Sequence, residues 1–213
     1  MFRDRSDAGR QLAAKLDPYK WSNALVLALP RGGVPVAGEA AMHLGLPLDI
    51  MLVRKLGVPG HEEFAMGAIA DGDVIIINEN TVHGLRIGDE AIERVAAIAR
   101  KELARRDAAY RAGRSAPSVK GRVVILVDDG IATGADMRAA VEAAKRQGAS
   151  KVIVAVPVAS QEAVDLLARF ADEVVCVFIP DDFAGISWFY EDFHETRDAE
   201  VKRILDEAKL AFA

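Results

Sequence analysis

The sequence predicts an α/β fold: a mostly parallel, twisted sheet with helices on both faces. Three observations predict it. Short apolar runs alternate with stretches of helical periodicity along the chain. The runs are nearly continuous in Val, Ile, Leu and Ala, as strands covered on both faces are. Glycine-rich or acidic turns follow several of them. A chain of 213 residues that is 51% apolar can bury one sizeable core, so a single domain over 1–213 is expected.

The first element is an amphipathic helix, because Ala8, Leu12, Ala13 and Leu16 recur at helical spacing after Asp4 or Ser6, and Pro18 ends it. Residues 24–29 then read as a strand, Pro30-Arg31-Gly32-Gly33 as a glycine turn, and 36–44 as a helix. A second strand is expected at 48–53. The charged, glycine-containing stretch 54–64 reads as a loop, and 65–70 with 74–77 as a hairpin around Asp71-Gly72-Asp73. Residues 89–111 form a long helix, the body of an inserted helical segment at about 85–115. Its apolar stripe of Ile92, Val95, Ala99 and Leu103 is narrow, so Arg100, Lys101, Glu102, Arg105 and Arg106 read as a solvated face. After the turn-prone residues 113–121 come strand 123–127, helix 136–147, strand 151–156, helix 161–170 and strand 173–177, an order that implies right-handed crossovers. Residues 180–194 are aromatic and irregular, and 198–210 form a closing amphipathic helix.

Composition excludes several function classes. The formal charge of -5 offers no overall field to gather nucleic acid. The lone Cys176, in an apolar run, fits a buried strand thiol and leaves no disulfide framework or cysteine metal site. The N-terminus is charged and helix-like, and no apolar run approaches the roughly 18 residues of a membrane span, so a cytoplasmic protein without membrane contact is expected. Gly32-Gly33 lacks the three-glycine spacing of a dinucleotide site, and no Gly-x-Ser-x-Gly elbow occurs.

In an open parallel sheet, ligands collect beyond the carboxyl ends of the strands, which directs attention to loops 30–34, 54–64 and 128–136. Asp128-Asp129-Gly130-Ile131-Ala132-Thr133-Gly134 follows a strand and precedes a helix. Free amides at that helix start, its dipole and the Thr133 hydroxyl suit a phosphate dianion, with Gly134 allowing close approach. Two adjacent carboxylates would repel a phosphate, so they make sense facing hydroxyls or a cation. A sugar phosphate supplies both.

An apolar strand, two acidic residues, a short spacer and Thr-Gly resemble the signature of the type I phosphoribosyltransferases. Phe2-Arg3-Asp4-Arg5, Ala8-Gly9, the long helix before the acidic motif and the stretch from Trp188 to Phe193 extend the resemblance over nearly the whole chain, to a branch of predicted phosphoribosyltransferases without assigned roles. The resemblance implies that Asp128 and Asp129 contact the ribose hydroxyls of phosphoribosyl diphosphate (PRPP), and that Ala132, Thr133, Gly134, Ala135 and Asp136 surround its 5-phosphate. It implies a diphosphate loop at Arg31, Gly32 and Gly33, often with a non-proline cis peptide, helped by Arg54 and Lys55. A mobile cover would carry His61, Glu62 and Glu63 as candidate acid, base or cation-binding groups, although each alone reads as a solvated loop residue. Asp128, Asp129, Lys55 and Arg31 would be the catalytic set. Magnesium would arrive with the substrate near Asp128 and Asp129, with no direct protein ligand.

Many family members carry Thr or Ser where this chain has Asp136, whose carboxylate either weakens phosphate binding or turns aside to cap the helix; the cap is the favoured reading. The resemblance also implies a helical and irregular hood, built from the N-terminal segment and about 180–195, whose Phe183, Trp188, Phe189 and Tyr190 either stack an acceptor, such as a nucleobase-like ring, or pack beneath the loop. The resemblance implies a homodimer, with the apolar stripe of helix 89–111 as one candidate surface. The function implied is transfer of ribose 5-phosphate to a nitrogen acceptor with release of diphosphate. The alternative is a PRPP-sensing regulator built on the same fold.

Overall fold

A computed structural model describes residues 1–211. Its larger sheet is wholly parallel, in the order β2-β1-β6-β7-β8, from β1 (Leu25–Ala28), β2 (Leu48–Ile50), β6 (Val123–Val127), β7 (Lys151–Val158) and β8 (Glu173–Phe178). Side chains alternate between two cores. Val26, Ala28, Ile125, Val127, Ile153 and Ala155 point to the side covered by α1 (Arg5–Lys15), α2 (Gly33–Leu44) and α7 (Asp198–Ala211). Leu27, Val124, Leu126, Val152, Val154 and Val156 point to the side of α5 (Ala135–Arg146) and α6 (Gln161–Leu167). Each fully buried Leu, Ile or Val stabilises the fold by about 1.5–3 kcal/mol over its exposed state, which is why these runs tolerate no polar residue.

The largest departure from the sequence reading lies at 48–77. Strand 48–53 divides: β2 ends at Ile50, and β3 (Val53–Val58) begins a second sheet, three-stranded and antiparallel, with β4 (His61–Ala70) and β5 (Val74–Ile77). The loop expected at 54–64 is therefore a hairpin turning at Pro59 and Gly60. Leu56 and Val58 are buried, Arg54 turns toward α4 (Asp89–Arg111) and Lys55 toward the opposite face, further charges stand at the tip, and register shifts at Leu56, Gly57 and Val58 blur the period-two pattern. The small sheet lies between α5 and α4. The α4 stripe is consumed there: Ala99 and Leu103 are buried with Leu56 and Ile69, and Ile92 and Val95 pack against the same core. It is not a free surface for a second copy.

Smaller corrections concern helix ends. α2 starts at Gly33 and not at 36, because Pro35 sits in the first turn, where its missing amide costs nothing. α3 (Glu79–Gly84) was not anticipated; Asn78 caps it by accepting from the Thr81 amide at 3.2 Å. Cys176 is half-buried on β8, and its Sγ–H donates to the Phe178 carbonyl at 3.2 Å. No described helix is long and apolar enough to cross a membrane.

Candidate functional site

β1 and β6 are neighbours at the centre of the parallel sheet, and the chain leaves β1 toward β2 on one side while β7 and β8 lie on the other. That is a switch point, where the loops beyond the strands diverge and open a crevice. The loop after β1 carries Pro30 to Gly33, and the loop after β6 carries Asp128 to Gly134.

The two loops touch. A Cβ on Gly32 would collide with Asp129 Oδ2, and a Cβ on Gly33 would lie 2.6 Å from the Val127 carbonyl oxygen. Only glycine permits this approach. The Pro30–Arg31 peptide is cis.

The adjacent acids differ sharply in surroundings. Asp129, 8% exposed, accepts from Arg5 Nε at 2.8 Å, and its backbone carbonyl accepts from the Tyr190 hydroxyl at 2.5 Å. Arg5 is itself buried; its Nη1 donates to the His194 carbonyl at 2.6 Å, and its guanidinium lies 3.9 Å from the centre of the Phe193 ring. Among the described residues no cation pairs with Asp128, and Oδ1 accepts only the Asp129 amide, at 2.8 Å. Burial, followed by the Asp129 and Asp136 charges, holds Asp128 well above the usual carboxylate range. Burial also raises Asp129, against the opposing pull of Arg5.

Beyond Asp128, the loop runs to Gly134, which caps α5 at φ 77° with no side-chain cap. Ala132, Thr133, Ala135 and Asp136 are exposed, and the amides of Ala132, Thr133 and Gly134 donate no hydrogen bond among the described residues. With the first-turn amides of α5 they form a patch of unpaired donors at the positive end of a helix dipole. Asp136 points out of this turn and caps nothing, so the cap expected of it is corrected: glycine already occupies the capping position. Ser160 braces the loop from behind, its hydroxyl donating to the Ala132 carbonyl at 2.7 Å and its amide to the Ile131 carbonyl at 3.0 Å.

The remaining predicted residues are dispersed. Arg31 projects to the C-terminal segment, paired with Glu195 and, at 3.6 Å, with Asp198. Arg54 and Lys55 lie within β3 and not in a loop. Arg54 faces α4, 3.9 Å from Glu102, whereas Lys55 pairs in register with Ala68, on the face toward α5, and donates to the Glu63 carbonyl at 3.1 Å. His61, Glu62 and Glu63 are exposed where β4 begins, at the hairpin turn.

In the hood, Phe183 stacks on Phe189, and Tyr190 packs on Phe2 and Phe193, so these rings serve largely as a satellite core. Trp188, 71% exposed, keeps an open face. Among the described residues, no group of three or more His, Cys, Asp or Glu is arranged to hold a metal ion. The sequence reading had no role for Ser160 or for the Arg5 guanidinium; a serine before a helix is a legible cap, but the arginine's partner lies 124 residues away.

The family model for the phosphoribosyl transferase domain matches residues 3–192. A solved crystal structure, that of TT1426 from Thermus thermophilus, is 47% identical, with a TM-score of 0.86 and coverage of 97% of this chain and 98% of that one. Two curated Mycobacterium tuberculosis proteins, provisionally named phosphoribosyl transferases (MT0597 and Rv0571c), are each 45% identical over 213 residues, 100% of this chain and 48% of theirs. The chain thus spans about half the length of the curated relatives it matches.

Proposed function

The chain belongs to the phosphoribosyl transferase domain family, and from that premise we propose that its β1–β6 crevice binds PRPP with magnesium and transfers ribose 5-phosphate to a nitrogen acceptor, releasing diphosphate. One observation carries the reading: unpaired amides at the start of α5 lie beside Asp128, a carboxyl without a cationic partner, across from the glycine loop after β1. The amides and Thr133 would hold the 5-phosphate. Asp128 would accept from the ribose hydroxyls, and the Gly32–Gly33 backbone with Arg31 would receive the diphosphate.

The acid-rich donor set fits a divalent cation carried by the substrate and not held by the protein alone: Asp128 is raised first by burial and then by the Asp129 and Asp136 charges, and such a cation would offset that negative charge. Bound magnesium would neutralise diphosphate charge as the glycosidic bond breaks. The protein's part is to align the ribose between two loops and to keep water out. Lys55, on the hairpin face toward α5, would meet departing charge, and Trp188 offers a face to a nucleobase-like acceptor. A homodimer and a cytoplasmic location complete the reading.

A second reading, a PRPP-binding regulator, is favoured by two observations: Arg31 is already paired with Glu195 and Asp198, and Asp136 places a carboxylate in the first turn of α5. A diphosphate-release assay with PRPP, magnesium and a panel of nucleobases separates them. The transferase reading expects release with at least one acceptor and its loss in Asp128→Asn. Calorimetric binding of PRPP without release under any acceptor supports the regulator.

A further inference from the structure

The acidic pair is divided between two tasks by a residue far from it in sequence. Asp129 Oδ2 meets Arg5 Nε at 2.8 Å and also lies where any Gly32 side chain would have to go. Its carbonyl is held by Tyr190, and the second arm of Arg5 holds the His194 carbonyl. One guanidinium therefore joins α1, the loop after β6 and the hood segment, and through Asp129 it sets how closely the loop after β1 can approach.

We propose that Arg5 is a positioning residue: by holding Asp129 against the Gly32 backbone it fixes the spacing between the 5-phosphate loop and the diphosphate loop, leaving Asp128 as the acid offered to ribose. The inference rests on the PRPP reading above. A planar fork suits this task because its two directions are rigidly related, whereas a lysine in its place has one point charge and cannot hold both acceptors in fixed geometry. Arg5 touches no substrate atom in this scheme. Its effect falls on ligands that span both loops and spares those that occupy one.

Calorimetry on wild type, Arg5→Lys and Arg5→Met with three magnesium-containing probes tests this: PRPP, ribose 5-phosphate and inorganic phosphate. Wild type is expected to bind PRPP most tightly. Arg5→Lys should lose at least about tenfold in PRPP affinity while its affinity for ribose 5-phosphate and phosphate stays within about twofold, because misplacement of two halves penalises only the bridging ligand. Arg5→Met should show the same selective loss, more severely. Arg5→Lys retains the charge, so it provides the comparison if Arg5→Met fails to fold. Equal losses for all three probes would mark Arg5 as merely structural and overturn the proposal, as would unchanged PRPP affinity in Arg5→Lys. Failure of wild type to bind PRPP would overturn the parent reading, and this inference with it.

Discussion

Two arginines are buried among the described residues, Arg5 and Arg111, and their surroundings differ in an instructive way. Arg111, 3% exposed at the end of α4, donates to Asp49 and Asp71 at 2.9 Å, to Asp107 at 2.5 Å and to the Ile50 carbonyl at 2.7 Å. The Ile50 and Leu52 amides donate to Asp49 and Asp71 as well, so the cluster is closed and ties α4 to both sheets. Arg5 satisfies Asp129 and a carbonyl but leaves the neighbouring Asp128 with one amide and no cation, beside a row of unpaired donors. Carboxylates that each meet a guanidinium nitrogen within the chain hold structure. Charge left unmatched beside free donors is where a ligand completes the set.

The sharpest way to break the comparison is Arg111→Met. Three carboxylates would lose their shared partner, and a loss of about 3–5 kcal/mol in unfolding free energy is expected, read from the denaturant midpoint. PRPP affinity of the folded fraction should not change. A loss smaller than about 1 kcal/mol would mean that water substitutes for the guanidinium.

Asp128→Asn should move stability the other way. A carboxyl whose folded pKa is raised binds its proton more tightly folded than unfolded, so its ionisation costs stability as pH rises from the unfolded value of 3.8 through the raised folded one. At pH 7 the neutral amide should therefore be more stable than wild type, and the gain should shrink as acid protonates Asp128. Chemical unfolding at pH 7 and pH 5 measures both, and PRPP binding should weaken in the same variant. A stability gain independent of pH would remove the electrostatic explanation.

Asp136→Thr is expected to act more weakly and with opposite signs on the two properties. Losing an acid from the first turn of α5 costs about 0.3–1 kcal/mol of helix–dipole stabilisation, while inorganic phosphate binding, followed by calorimetry, tightens a few-fold. Unchanged phosphate affinity would show that the carboxylate stays clear of the ligand. Smallest of all, Glu195→Gln should leave the thermal midpoint in place, since its pair with Arg31 is exposed, and should strengthen PRPP binding only at low salt.

The two regions were not equally legible in the sequence. The strands around 24–29, 123–127 and 151–156 could be read because burial on both faces leaves continuous apolar runs. The acid–Thr-Gly loop could be read because strand end, acids and helix start follow one another within a few residues. The hairpin at 54–64 could not, since a half-buried strand with Arg54 on one face and Lys55 on the other carries charge as a loop would, and its register shifts hide the alternation. The difference between Asp128 and Asp129 was also hidden. Neighbouring side chains at a strand end turn to different sides, and the arginine that selects one of them stands 124 residues away. The Arg111 cluster is hidden likewise, its partners on β2 and the β4–β5 turn lying 62 and 40 residues away.

The central claim is that the unmatched crevice, and not the closed cluster, receives PRPP. Backbone amide NMR of the protein titrated with PRPP and magnesium tests this most directly. The account predicts the largest shift changes at residues 31–33 and 130–136, with residues 49–52, 71 and 107–111 left in place. Shifts centred on the Arg111 cluster, or none at the two loops under saturating ligand, would contradict it.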